Sequence, residues 1–122
     1  MTIQRSQLGR AGEDVAVMFL EREGYHILRR NFRNKLGEID IIAKDHDTVC
    51  FIEVKTRKSD AFGSPFESVT KAKQRKIIYV ALSYLKMQGR DEANVRFDVV
   101  SVILGDEDGP QVEIITNAFE AN

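Results

Sequence analysis

Apolar residues at Leu8, Ala11, Val15 and then Met18 or Phe19 recur at helical spacing, which predicts an amphipathic helix from about Gln7 to Glu23. Ser6 stands where an N-cap belongs and Gly24 where a helix stops. From Tyr25 to Phe32 the pattern changes to strand-forming residues, and Arg33, Asn34 and Lys35 mark a bend. Two strongly apolar runs follow at about 38–44 and 49–56, joined by the polar turn Asp45-His46-Asp47-Thr48. Residues 57–68 contain Gly63, Pro65 and mixed polar groups and predict a loop. Ile77, Ile78, Ala81, Leu82 and Leu85 then form the stripe of a second helix from about Thr70 to Gln88, ended by Gly89. A long strand from Val95 to Leu104, a turn from Gly105 to Pro110 and a strand near 111–117 complete the chain. The order α-β-β-β-α-β-β predicts an α/β fold in which a mixed sheet is flanked by helices.

Two of these strands carry charges that an apolar run does not need. Gly37-Glu38-Ile39-Asp40-Ile41-Ile42-Ala43 and Val49-Cys50-Phe51-Ile52-Glu53-Val54-Lys55 each place a carboxylate among aliphatic side chains. Burying an ionised group is costly unless something pairs with it. Strand alternation puts Glu53 and Lys55 on one face, with Ile52 and Val54 on the other. If the two strands form a hairpin, Asp40 and Glu53 come together at the end far from the turn. Two carboxylates repel there unless a cation sits between them, which suggests a hard divalent metal with a lysine beside it. A structural ion pair of Asp40 or Glu53 with Lys55 at a sheet edge is the competing explanation, and the residues alone leave both standing.

Composition narrows the class. At 122 residues, 43% apolar and 30% charged, the chain is expected to be one domain, 1–122, with a single core. No apolar stretch approaches the roughly 20 residues that span a bilayer, and the start Met1-Thr2-Ile3-Gln4-Arg5-Ser6 lacks a signal-peptide hydrophobic region. A cytoplasmic protein without a membrane partner is therefore expected. The lone Cys50 reads as a small core residue, and His26 and His46 lie in no metal-ligand spacing. Net charge is only −1, but residues 1–90 carry +6 and residues 91–122 carry −7. Basic clusters at Arg29, Arg30, Arg33 and Lys35, at Lys55, Arg57 and Lys58, and at Lys71, Lys73, Arg75 and Lys76 bracket the carboxylate strands. The last cluster stands against a helix dipole, which favours an external anion such as a phosphate backbone.

Taken together, these segments resemble the PD-(D/E)xK nuclease superfamily, and within it the bacterial YraN family, grouped with Holliday junction resolvase-like proteins. The resemblance rests on Gly12-Glu13, Arg30-Asn31-Phe32-Arg33, Gly37 to Ala43, Phe51-Ile52-Glu53-Val54-Lys55-Thr56-Arg57, the Gly63-to-Lys71 loop and helix start, and Arg96-Phe97-Asp98-Val99-Val100. It implies a restriction-endonuclease-like core and a metal-dependent nuclease. By resemblance, Glu13, Asp40, Glu53 and Lys55 are the catalytic set. Asp40, Glu53 and the Val54 carbonyl would hold Mg²⁺ or Mn²⁺, with Glu13 bound directly or through water. Glu38 ranks second to Asp40 as a ligand. Arg30, Arg33, Arg57, Lys71, Lys73 and Arg75 are the candidate nucleic-acid contacts, and DNA, with branched forms among the candidates, is the expected partner. A homodimer is expected by analogy alone. Gln74 and Tyr79 lie five apart, off one clean helical face, and are given no catalytic role. Two other functions remain open. One is a catalytically silent DNA-binding accessory protein with the same fold; the other is a protein-interaction module using the acidic C-terminal part around Asp106-Glu107-Asp108.

Overall fold

The structure is a computed structural model in which residues 3–59, 69–90, 93–105 and 108–121 are described. Most of the expected loop before the second helix, and Asp106 and Glu107, lie outside the described residues. The elements are α1 (Ile3–Arg22), β1 (His26–Asn34), β2 (Gly37–Asp45), β3 (Thr48–Arg57), α2 (Lys71–Met87), β4 (Asn94–Ile103) and β5 (Gln111–Phe119). The strands form one sheet in the order β1-β2-β3-β4-β5. Only β3 and β4 run parallel, and α2 lies in the crossover between them; every other neighbouring pair is antiparallel. The α/β expectation, with its mixed sheet and element order, is met, and the arrangement is that of a restriction-endonuclease-like core.

Alternation along the central strands divides the interior into two layers. Val49 and Phe51 join Ile77, Val80, Ala81, Tyr84 and Leu85 of α2, while Cys50 and Ile52 join Ala16 and Leu20 of α1. A sheet covered on both faces needs near-continuous apolar central strands, which explains their composition. Phe51 stacks on Phe97 at 5.6 Å between centroids and meets the edge of the Tyr84 ring. Cys50 is fully buried, and burial pushes its thiol up to about 12, so it is a core residue as expected.

Helix α2 starts and ends where the sequence reading puts it, whereas α1 starts earlier, and both helices bury partly different faces from those expected. Helix α1 begins at Ile3, so Ser6 lies inside it and is not its cap. The buried face of α1 is Gly12, Glu13, Ala16 and Leu20; Val15 and Phe19 of the expected stripe pack partly buried against the core, whereas Ala11 and Met18 are exposed. The face is rotated because α1 approaches β3 through Gly12: a Cβ there would lie 1.9 Å from Thr56 Oγ1, so only glycine permits this closeness. In α2, Leu82 is exposed and Val80 and Tyr84 take its place in the core. Its N-cap is Thr70, whose hydroxyl accepts the Lys73 N–H.

One buried acid is fully compensated. Asp98 on β4 has no exposed surface. Both of its carboxylate oxygens accept from Arg96 Nε at 3.0 Å, and one also accepts the Asn117 N–H at 2.8 Å. Asn117 has φ 53, and the β4–β5 register shifts between Phe97 and Val99, which brings that N–H onto the acid. Arg96 reaches on to Asp45 at 3.1 Å and to the Tyr25 hydroxyl at 2.8 Å, tying β4 to the β2–β3 turn and the start of β1. Replacing Arg96 by Leu leaves Asp98 buried without its cation. The expected cost is about 3 kcal/mol or more, read as a lower urea midpoint at unchanged slope.

Candidate active site

The β2–β3 ladder runs from the pair Asp45 and Thr48 to the pair Ile41 and Ile52. Asp40 and Glu53 stand immediately beyond it, at the end far from the turn. There a carboxylate takes over a ladder position: Asp40 Oδ2 accepts the Val54 N–H at 2.8 Å. Glu53 is buried, and one of its oxygens, Oε1, faces two ammonium groups, Lys73 Nζ at 2.9 Å and Lys55 Nζ at 3.8 Å. Glu13 is brought to the same region by the close approach of α1 at Gly12. Its Oε1 accepts from Arg30 Nε at 3.1 Å and from the Asn31 amide at 2.9 Å, and Arg30 also pairs with Asp14 at 2.6 Å.

Asn31 explains how β1 serves both layers. Its φ of 53 is a left-handed conformation that asparagine adopts more readily than most residues. Strict alternation would put Arg30 and Phe32 on one face. Instead Arg30 reaches α1, while Phe32 packs in the α2-side core. The opposing residues Ile41 and Ile39 divide in the same way. The irregularity turns Glu38 and Asp40 toward an open cleft of about 740 Å³, which Glu13, Asn31, Lys55 and Lys73 also line.

The charges in the cleft are unequally balanced. Burial, and then the nearby charge of Glu53, push the Asp40 carboxyl up to about 7, against the lowering effect of the Val54 N–H. Burial, followed by the neighbouring Lys73, brings the Lys55 ammonium below the ordinary lysine range. For Lys73, burial works against the charge but the bond to Glu53 and its charge outweigh it, so its range is raised. A pair of close carboxylates, one of them short of a counter-charge, suits a hard divalent ion. Magnesium needs only one or two protein carboxylates because it keeps several waters. Among the described residues no three His, Cys, Asp or Glu side chains form a metal cage, and Glu13 is engaged by Arg30 and Asn31. The two carboxylates Asp40 and Glu53 are the donors that would suit such an ion.

A sequence comparison covers this whole arrangement. The profile of the family described as Uncharacterised protein family UPF0102 matches residues 12–102. The chain belongs to the UPF0102 family. A UPF0102 protein of Desulfosudis oleivorans is 53% identical over 122 residues, covering 100% of this chain and 97% of the relative. UPF0102 proteins of Geobacter sulfurreducens and Chlorobium phaeobacteroides are 48% identical over 113 residues and 50% identical over 117, covering 93% and 92% of this chain and 88% and 93% of the relatives. The YraN resemblance is thus met, and the UPF0102 match includes Glu13, Asp40, Glu53, Lys55 and Lys73. No helix among the described residues is long and apolar enough to cross a membrane.

The structure brings Glu13, Asp40, Glu53, Val54 and Lys55 of this UPF0102 protein together and distributes the basic residues in three ways. Arg30 and Arg33 stand at the cleft in ion pairs, Arg30 with Glu13 and Asp14 and Arg33 with Glu38. Lys73 turns inward to Glu53 instead of lying on the outer surface with its neighbours. Lys71, Arg75 and Lys76 are exposed, and Arg57 is partly buried at the end of β3. His26 and His46 are exposed, and Gln74 spends its amide on the Val69 carbonyl. Sequence reasoning missed the roles of Asn31 and Lys73. An asparagine inside a strand run was the available signal for the first; a lysine's long stem gives none for the second.

The Asp40 shift makes a pH prediction. Its folded value, about 7, lies above the ordinary carboxylate value of 3.8, so between the two the folded protein binds more protons at this group than the unfolded chain. Stability from this group is fully present below about pH 4 and lost as pH rises through about 7. Asp40→Asn keeps an acceptor for the Val54 N–H and cannot ionise. In chelator-treated protein, urea unfolding should show the variant gaining about 2 kcal/mol on the wild type between pH 5 and pH 8. A difference independent of pH would mean that Asp40 is ionised throughout.

Proposed function

We propose that this UPF0102 protein is a metal-dependent nuclease that hydrolyses DNA phosphodiester bonds. The observation that carries the reading is that Glu13, Asp40 and Lys55 line one open cleft whose rim is basic, with the buried Glu53 held beside it by Lys55 and Lys73. Asp40 and Glu53, assisted by the Val54 carbonyl, would hold Mg²⁺ or Mn²⁺. A bound divalent ion supplies Lewis-acid stabilisation and lowers the pKa of a bound water. Lys55 belongs to the strand that carries Glu53 and lines the cleft, where its ammonium would stabilise the charge that develops on a scissile phosphate or attacking water. Its lowered range brings it closer to the working pH of a proton donor or acceptor. Glu13 is oriented by Arg30 and Asn31. Arg10 and Arg33 line the same cleft, and Lys71, Arg75 and Lys76 extend positive charge along the start of α2 toward a phosphate backbone.

A binding reading has one observation in its favour: Lys55 and Lys73 already balance Glu53, so the cluster is held together by protein groups alone. Cleavage assays separate the two. Purified protein is incubated with linear, flapped and four-way DNA in Mg²⁺ or Mn²⁺, beside Asp40→Asn and Glu53→Gln. Cleavage by the wild type that is lost in both variants is the expected result. Lys55→Ala should fold and lose about 10²-fold or more in single-turnover rate. Equal rates in wild type and Lys55→Ala at saturating metal would remove the lysine from the mechanism.

DNA affinity tests the surface charge separately. With cleavage suppressed by Ca²⁺, replacing Lys71, Arg75 and Lys76 by Gln should reduce the log–log salt slope by roughly 2, at about 0.9 per phosphate contact on duplex DNA. An unchanged slope would assign DNA contact to the β1 arginines.

A further inference from the structure

We propose that Lys73 is an exchangeable counter-ion: its ammonium holds Glu53 in the metal-free protein and is displaced by the incoming divalent ion, which frees it to face the substrate phosphate. The inference rests on the nuclease reading above and names the residue that couples metal loading to substrate contact.

Two ammonium groups compete for Glu53 Oε1, and only Lys73, at 2.9 Å, is within hydrogen-bond distance; Lys55 is 3.8 Å away. The two differ in mounting. Lys55 belongs to the same strand as Glu53, and its side chain is 21% exposed; Lys73 reaches in from the first turn of α2, and its side chain is 40% exposed. Lys73 also lines the cleft, so withdrawal leaves it beside the space a phosphate would enter. The Lys73 backbone N–H is fixed by the Thr70 hydroxyl, so the side chain can swing while the helix start stays in place.

An ammonium and a hard divalent ion seek the same carboxylate lone pairs, and their like charges exclude joint occupation of one oxygen. Lysine suits a movable role because it is a compact charge on a flexible stem with three donors. Arg30, which pairs with the cleft residue Glu13, shows the contrasting solution. Its planar guanidinium bridges Glu13 and Asp14 and fixes both. A fixed clamp on Glu13 and a single flexible contact on Glu53 distinguish an orienting pair from an exchangeable one.

Calorimetric titration of Mn²⁺ into the full chain tests the exchange, using Lys73→Met and, for the general effect of losing one charge on that helix turn, Lys71→Met. Removing the competitor should tighten Mn²⁺ binding by about tenfold in Lys73→Met, with little change in Lys71→Met. A purely structural ion pair predicts the opposite, because a misplaced Glu53 would bind the ion less well. Binding by the wild type that is unchanged or weaker in Lys73→Met, or tightened equally in Lys71→Met, overturns the exchange and leaves the nuclease reading standing. No Mn²⁺ binding by the wild type or by Lys73→Met overturns both, whereas binding found only in Lys73→Met supports the exchange. If Lys73→Met does not fold, amine acylation of the wild type, mapped by mass spectrometry, decides: labelling at Lys73 should rise several-fold on Mn²⁺ saturation, and constant or falling labelling overturns the proposal.

Discussion

Three acidic side chains, Glu13, Asp40 and Glu53, meet where the β2–β3 hairpin stops pairing, and the cost of holding their charge out of water governs what surrounds them. Each is compensated from a different part of the fold. Glu13 draws on Arg30 and Asn31 of β1, Glu53 on Lys73 of α2 and Lys55 of its own strand, and Asp40 on one backbone N–H of β3. The placement of α1, the left-handed Asn31 and the start of α2 are therefore all tied to the same charge problem. Among the described residues Asp40 has no ion pair, and it is the carboxyl pushed up to about 7.

Comparison with Asp98 shows why burial alone does not identify a functional acid. Asp98 is the more deeply buried, yet Arg96 covers both its oxygens and Asn117 adds a further donor. Nothing in that network is left seeking a charge, and Arg96 itself is shared with Asp45 and Tyr25. Asp98 acts as a fastener between β4, β5 and the hairpin turn. Asp40 has one donor and an open cleft before it, so its unmet electrostatic demand faces solvent and substrate. An under-compensated acid beside water is poised for an incoming cation, whereas a saturated one is committed to structure.

This difference sets the limit of what the sequence could reveal. Asp40, Glu53 and Asp98 look alike as isolated acids in apolar strands, and the hairpin that joins the first two was legible from Val, Ile and Phe alternation around a polar turn. The layering of Cys50 and Ile52 against α1, and of Val49 and Phe51 against α2, followed from the same period. Periodicity failed where the backbone leaves the regular path. Asn31 breaks parity in β1, and parity arguments about β2 fail opposite it. The face of α1 was met in part, at Val15 and Phe19, and missed where its closest contact is a glycine, which carries no hydrophobic signal, while the exposed Met18 does. The N-cap at Ser6 failed because α1 runs back to Ile3 and takes Ser6 inside it.

The basic start of α2 links these strands of reasoning. Four cations in the first turns of a helix oppose its dipole, and a negative charge near that end is correspondingly favoured. Glu53 supplies such a charge from outside the helix, through Lys73 in the first turn. Lys73 is thus paired with Glu53, whose charge in turn opposes ionisation of Asp40. On the nuclease reading, a divalent ion held by the two carboxylates would reverse this opposition, because it would attract both charges at once and release the Lys73 contact. Lys71, Lys73, Arg75 and Lys76 would then lack an acidic counterpart in the sheet. A polyanion at the cleft mouth would balance them, so an arrangement that holds the cluster together without metal would also make phosphate contact more favourable once metal is bound.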